Sequence, residues 1–451
     1  MSDMNCRRPN IVLTIADDQR YDTIGAMGNR EILTPNLDRM VEMGTSFTRS
    51  CIPGSLTSGV CMPSRAQLHS GRTVFHTTHT ITCPESGRIR DLESAQFKGG
   101  DALPTLGAIL GESGYETCGV GKWHNGAASF ERSFQKGKRV FYGGMGSHFC
   151  VENFDYVPDT SGEKKKREHV GHSTEMFTSG AQAFLQEREP EDERPFFLYC
   201  AFTAPHDPRQ TFWRWHEMYR PENMELPPNF LPHHPFDNGW LYKRDECLAE
   251  HPRQENEVRY HLADYYAMIS HMDDAIGRLH QTVWDCGYGK DTIFIHTADH
   301  GIAIGQHGLM GKQNLYDHSM RVPLLISGPG IEQGVLDDRL CYMQDLFPTI
   351  LEMAGLPVPE SCDFRHLFNG EKRESLAEVY MNLMRAVRTE THKLIEYRVG
   401  ENRHTQLFDL SNDRWETRNL AEDIASTGQV ETLRKDLHRL LREMDDPFQL
   451  F

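Results

Sequence analysis

The sequence has no apolar run approaching the ~20 residues that a membrane-spanning helix needs, which excludes a helical membrane protein. Its opening stretch, Met1 to Asn10, is polar and basic and lacks an apolar core, so it does not read as a secretory signal. There is no Cys-x-x-Cys pair of the structural-zinc kind, and the 11 cysteines are odd in number and widely scattered. That pattern fits reduced thiols better than a disulfide framework and makes the cytoplasm the expected compartment. Positive charge is short as well: 48 Lys and Arg face 65 Asp and Glu, a formal net charge of −17. Such a balance serves solubility and argues against nucleic acid or an anionic membrane as a partner. An anionic substrate would require a locally positive pocket inside an acidic protein. Neither a repeat of fixed period nor a long low-complexity tract interrupts the chain.

At 451 residues the chain exceeds one ordinary core, so a large domain with an appendage is expected. Asn10–Ala16 is a nearly continuous apolar run, as in a strand buried on both faces, and Pro195–Phe202 and Thr292–Ala298 repeat the pattern. Glu116–Val120 and Val322–Ile326 are further strand candidates. Thr34-Pro35 caps a helix running to Met43 and ended by Gly44, and other helices are predicted over Pro104–Ser113, Ser173–Glu187, Glu257–Val283 and Gln344–Ala354. The alternation predicts an α/β fold with a large mixed, mostly parallel sheet sandwiched by helices. After Gly355 the grammar changes. Short strands at Ala377–Met381, Arg385–Arg388, His392–Tyr397 and Gln406–Leu410, then a helix near Val430–Met444, predict a smaller α+β subdomain with an antiparallel sheet. The expected division is 1–358 and 359–451. The charge run Glu163–Glu168 reads as a solvated loop, and Thr211–Gln254, rich in Pro, Trp and His, as elaborated surface loops.

The run Cys61-Met62-Pro63-Ser64-Arg65, followed by Leu68 and Gly71-Arg72, carries the most chemistry. Pro63 can open a helix, because proline at a first helical position has the right φ and wastes no N–H. Cys61 would then face the positive end of the helix, where a developing anion is stabilised. Arg65 adds a cation able to fork onto two oxygens of a tetrahedral oxyanion. The run describes a nucleophile beside an anion clamp.

Four strand candidates end in polar signatures: Asp17-Asp18, Gly121-Lys122-Trp123-His124, Thr203-Ala204-Pro205-His206 and Asp299-His300-Gly301. In open parallel sheets, ligands bind outside the carboxyl ends of strands. Asp17, Asp18 and Asp299 offer hard oxygens and His300 an imidazole. Three carboxylates brought together would repel unless a divalent cation joins them, and oxygen-rich ligation favours Ca²⁺, Mg²⁺ or Mn²⁺ over zinc.

These pieces resemble a type I sulfatase of the alkaline phosphatase superfamily. The matching segments are Arg8–Gln19, Cys61–Arg72, Lys122–His124, Ala204–Pro208 and Thr297–Lys312, in the family's order, with Leu407–Ala421 similar to its closing segment. The resemblance implies an alkaline phosphatase-like fold and oxidation of Cys61 to Cα-formylglycine by a formylglycine-generating enzyme. The hydrate of that aldehyde carries two hydroxyls on one carbon, one to attack sulfur and one whose deprotonation expels sulfate. By position, Asp17, Asp18, Asp299 and His300 would hold the metal, with Ca²⁺ first and Mg²⁺ or Mn²⁺ as alternatives. Arg65 would hold the hydrate, Lys122 and Lys312 the sulfate oxygens, His124 would serve the second hydroxyl, and His206 would protonate the leaving alcohol. His300 stands where many relatives have Asn, Gln306 and Asp317 where Glu is frequent, and Met62 where a smaller residue is common.

The substrate implied is a small anionic sulfate ester, with a carbohydrate preferred. His76, His79, His148, Trp213 and Trp215 are candidate pocket residues, each equally open to ordinary loop packing. The nearest rival is a phosphonate monoester hydrolase or phosphodiesterase of the same superfamily. An unmodified Cys61 would leave instead a metal-dependent oxyanion-binding protein.

Overall fold

The computed structural model describes residues 8–78, 104–156, 164–189 and 191–448, whose strands form two sheets. The strands are β1 (Asn10–Asp17), β2 (Gly44–Cys51), β3 (Gly54–Ser55), β4 (Glu116–Lys122), β5 (Lys136–Phe141), β6 (Asn153–Tyr156), β7 (Lys164–Arg167) and β8 (Phe196–Pro205). They continue as β9 (Thr292–Ala298), β10 (Leu324–Ser327), β11 (Val335–Tyr342), β12 (Ser375–Tyr380), β13 (Met384–Thr389), β14 (His392–Val399) and β15 (Asn402–Asp409). Ten strands make one sheet in the order β11-β2-β10-β9-β1-β8-β4-β5-β6-β7, and five make the other, β15-β14-β13-β12-β3.

Burial explains the centre of the large sheet. β1, β8, β4 and β9 are buried at every position and pair in parallel; for β1, β8 and β9 this follows from their apolar runs, whereas β4, Glu116–Lys122, is buried by its place in the sheet. The flanks are mixed: β10 runs antiparallel to both β9 and β2, and β6 and β7 close the far edge antiparallel. The covering helices include α1 (Pro35–Glu42), α2 (Cys61–Ser70), α3 (Ser173–Gln186), the 31-residue α4 (Glu255–Asp285), α5 (Leu346–Met353) and, against the small sheet, α6 (Thr427–Glu443). The expected α/β class with a second antiparallel sheet is therefore what the chain adopts.

Two local readings change. The charge run expected as a solvated loop contains β7, an edge strand whose Lys164–Arg167 pair with Tyr156–Asn153. Lysines are common on edges because they deter further strand addition. The small sheet is not built only from the chain's end, since β3 joins β12 in parallel, with Gly54 opposite Val379. Gly54 has φ 100°, and a Cβ there would lie 1.9 Å from the Val379 carbonyl, so only glycine admits this approach. Among the described residues no helix is long and apolar enough to cross a membrane, and the nine described cysteines are free thiols.

Candidate active site

Register brings the four polar signatures to one edge. Ala16 pairs with Ala298, Asp17 with Pro205, and Gly121 with Ala201, so β9, β1, β8 and β4 all release their next residues side by side. Asp18 and His124 then turn in the left-handed region at φ 73° and 60°. Asp and His tolerate that region better than most residues, and such strain gathers at functional sites.

α2 supplies the nucleophile position. The helix starts at Cys61 itself, with Val60 before it, so Pro63 is the third helical residue and not the first. Nothing is lost by this, because the first-turn N–H groups have no partner inside a helix. Cys61 Sγ lies 3.0 Å from His300 Nε2 and shares a hydrogen bond with His124. Burial raises a thiol, but here Lys122, Lys312 and His300 outweigh it and hold Cys61 well below its usual range. A negative charge at residue 61 is therefore favoured.

The acids are packed closely enough to hold a metal ion. One ligand atom from each of Asp17, Cys61, Asp299 and His300 lies within 4.8 Å of the others, and the same holds for Asp17, Asp18, Cys61 and His206. His300 Nδ1 is 3.1 Å from Asp18 Oδ1, and its Nε2 is 3.8 Å from Asp17 Oδ1 and 3.6 Å from Asp299 Oδ1. Asp17 Oδ1 is buried with no hydrogen-bond partner among the described residues. Burial, Asp299 and Cys61 together push Asp17 up to about 8. A divalent cation relieves all three effects, and the oxygen-rich donor set fits one.

Cations surround this acidic centre. Lys122 donates to Asp17 Oδ2, and Lys312 Nζ reaches both oxygens of Asp18 at 2.7 and 3.0 Å. Arg65, fully buried, spends most of its fork internally. Its Nε donates to Asp299 Oδ2 at 2.8 Å, and its Nη1 to the Lys122 carbonyl at 2.8 Å and Tyr199 Oη at 3.1 Å, leaving Nη2 without a partner among the described residues. His206 Nδ1 is 2.8 Å from the Asp207 carbonyl and 3.1 Å from Asp207 Oδ1, and its Nε2 faces Asp18 Oδ2 at 4.0 Å. Burial lowers the His206 imidazole, but Asp18, Asp17 and Asp207 hold it well above its ordinary value. His124 is pulled down to about 4, chiefly by burial. All ten residues expected at the site meet there.

The sulfatase family model, described simply as Sulfatase, matches residues 9–356, well over half of the chain. The chain belongs to the sulfatase family. A second model, for the C-terminal part of N-sulphoglucosamine sulphohydrolase, matches residues 305–444. An arylsulfatase of Clostridium perfringens is 26% identical, with 98% of this chain and 96% of the relative covered. An N-acetylglucosamine-6-O-sulfatase of Bacteroides thetaiotaomicron is 24% identical over 98% of this chain and 87% of its own length. A solved structure of an enzyme in complex with its substrate D-glucosamine-2-N,6-O-disulfate superposes with a TM-score of 0.81 at 21% identity, covering 98% of this chain and 99% of that one. This sulfatase is a sulfuric ester hydrolase with the alkaline phosphatase-like fold.

The candidate pocket residues of the sulfatase fall elsewhere. His76 bridges Asp363 at 2.6 Å and Asp445 at 2.9 Å, tying the segment after α2 to the end of the chain. His148 lies behind the site, with Nε2 2.9 Å from the His206 carbonyl. Trp213 and Trp215 line a separate cleft of about 960 Å³ with Glu175, Phe212, Arg214 and Arg278. His79 lies outside the described residues. Asp317, where Glu is frequent, is a buried structural hub for Arg321, Arg388 and Lys393. Sequence reasoning missed Tyr199, Asp207 and Asp245. Asp207 was legible as the neighbour of His206, whereas Asp245, 3.7 Å from Lys312, comes from a loop region with no local signal.

Proposed function

We propose that this sulfatase hydrolyses a sulfate monoester of a carbohydrate, with residue 61 acting as Cα-formylglycine beside a divalent cation. The observation that carries the reading is the meeting of Cys61, three aspartates and two lysines at one sheet edge. Asp17, Asp18, Asp299 and His300 are the metal ligands in this reading, with Ca²⁺ first and Mg²⁺ or Mn²⁺ as alternatives. Once formed, the formylglycine hydrate would supply a hydroxyl nucleophile and a second hydroxyl able to expel sulfate, and a cation held by these residues would offset the oxyanion charge around it.

The protein's own residues then have separable tasks. Lys122 and Lys312 hold sulfate oxygens, their ammonium groups already aimed at the centre by Asp17 and Asp18. Arg65 orients Asp299 and offers its unpartnered Nη2 to residue 61. His124, kept neutral by burial, is the base for the second hydroxyl. His206 keeps Nδ1 on Asp207 and carries the mobile proton on Nε2, from which it passes to the leaving alcohol. The named activities of two relatives, on N-acetylglucosamine 6-O-sulfate and on a glucosamine disulfate, support a sugar substrate. Comparative kinetics on sulfated sugars, an aryl sulfate and an aryl phosphonate test the reading. Faster phosphonate turnover would overturn it in favour of a phosphonate monoester hydrolase.

A further inference from the structure

The loop leaving β8 toward Trp215 is held from behind by three histidines. His148 Nε2 donates to the His206 carbonyl and His172 Nε2 to the Gln210 carbonyl, both at 2.9 Å, while His271 Nδ1 meets Thr211 Oγ1 at 2.8 Å. Their rings pack in a row, with centroids 5.1 Å apart for His148–His172 and 4.8 Å for His172–His271. Groups on this loop are therefore positioned in advance.

Arg209 sits in that loop, three residues after His206. Its Nη1 donates to His261 Nδ1, and its Nε is buried with no partner among the described residues. Burial first, then Arg209 itself, pulls His261 down to about 4, and His261 also hydrogen-bonds the Leu248 carbonyl. The guanidinium thus rests on a neutral ring. Among the described residues no carboxylate forms an ion pair with it. The acids nearby are engaged elsewhere: Asp207 with His206 at 3.1 Å, Asp18 with Lys312 at 2.7 Å, and Asp264 with His216 at 2.9 Å. Burial lowers the guanidinium and outweighs Asp207, Asp18 and Asp264, which still favour its charge from a distance. A largely buried cation without a direct ion pair costs stability, so packing alone does not account for it. Function does. In the proposed function His206 gives its proton to the leaving oxygen, which would set the sugar bearing that oxygen beside the loop that carries Arg209, three residues on. A guanidinium fork matches two oxygens of a carboxylate or a sulfate.

We propose that Arg209 is the specificity cation of this enzyme, receiving a second anionic substituent, a carboxylate or a further sulfate, on the sugar that bears the scissile ester. The proposal rests on the sugar-sulfate reading above.

Matched substrate pairs test it, each sharing the sulfate position that the wild-type enzyme cleaves. One pair differs by an N-sulfate in place of an N-acetyl group, the other by a uronate carboxylate in place of the reduced alcohol. The expected result is a wild-type preference for the dianionic member of one pair. Arg209→Gln should lower that preference in kcat/KM by about 30-fold, the scale of one charge-assisted hydrogen bond, and Arg209→Lys should restore part of it. The pair that responds identifies the anion. Arg209→Gln should keep or raise the melting temperature, whereas a purely structural arginine would lower it. Equal turnover of both members by the wild type, or a preference unchanged by Arg209→Gln, overturns the proposal. Failure of the wild type on every sugar sulfate would instead remove the reading beneath it.

Discussion

His300 Nε2 stands 3.0 Å from Cys61 Sγ, joining the end of β9 to the first turn of α2 across 239 residues. The reactive position is thus held by the fold and not by its neighbours in the chain. Cys61→Ala should abolish turnover, by about 10³-fold or more, because no neighbouring group can replace the nucleophile. The thiol is small, so the melting temperature should move by only a few degrees. Peptide mass spectrometry of the wild type should find an aldehyde at residue 61. A collapse of stability in Cys61→Ala would make the residue a packing element.

Metal removal should act on both activity and stability. Strong chelator is expected to abolish turnover, and added Ca²⁺, Mg²⁺ or Mn²⁺ to restore it. Ligand binding to the folded state alone adds about 2.7 kcal/mol at a hundredfold excess over Kd, so the melting temperature should fall in parallel. The Asp17 carboxylate, pushed up to about 8 by burial, Asp299 and Cys61, is where that destabilisation should concentrate. Full activity and an unchanged melting curve after exhaustive chelation would refute the ligand set.

His206 offers a test based on leaving groups. Its Nε2 is the free nitrogen, since Nδ1 is taken by Asp207. His206→Ala should slow cleavage of a sugar sulfate by about 10²–10⁴-fold, the usual range for general acid catalysis. Against an activated aryl sulfate, whose phenolate needs no proton, the loss should be far smaller. Equal losses on both substrates would assign His206 to binding.

Much of this site was legible because apolar runs and polar punctuation coincide. Asp17, His206 and Asp299 each close or follow an apolar run long enough to be a buried strand, while Lys122 ends β4, a shorter and more polar stretch. Parallel pairing then makes their ends neighbours. β2 was not legible: Gly44-Thr45-Ser46-Phe47-Thr48-Arg49-Ser50-Cys51 has little apolar character, and it becomes a strand through pairing with β10 and β11 on both sides. β3 was hidden for a related reason, since two residues acquire strand form only from their partner β12. Arg65 shows the same limit on side chains. Its residue type pointed to an anion clamp, while its actual partners, Asp299 and Tyr199, depend on distant strands.

Gly144 provides a test that replaces no reacting group. A Cβ on Gly144 would stand 2.5 Å from His124 Nε2, so Gly144→Ala must displace the ring. Its backbone is not in the left-handed region, and alanine should not strain it. The expected outcome is a fall in kcat of about tenfold or more with a melting temperature close to wild type. Unchanged kcat would show that the position of His124 does not limit the reaction.

The row of histidines behind the His206 loop predicts an acid sensitivity. Burial, with smaller opposition from hydrogen-bond partners, pulls His172 down to about 3 and His148 to about 4. Both lie below the unfolded value near 6.5, so each contributes stability that is fully present above that pH. As pH falls below 6.5 the unfolded chain takes up protons that the folded chain refuses, and stability declines until the folded values are reached. At pH 5 each ring should account for about 2 kcal/mol, since one pKa unit is about 1.4 kcal/mol. His172→Asn removes the titrating group while keeping a residue that caps helices well, and His172 does cap α3 by accepting the Thr174 N–H. Melting curves from pH 7 to 5 should therefore fall less steeply for His172→Asn than for the wild type. Parallel curves would mean that His172 accepts a proton in the folded state, and the neutral row would no longer explain how the loop is held.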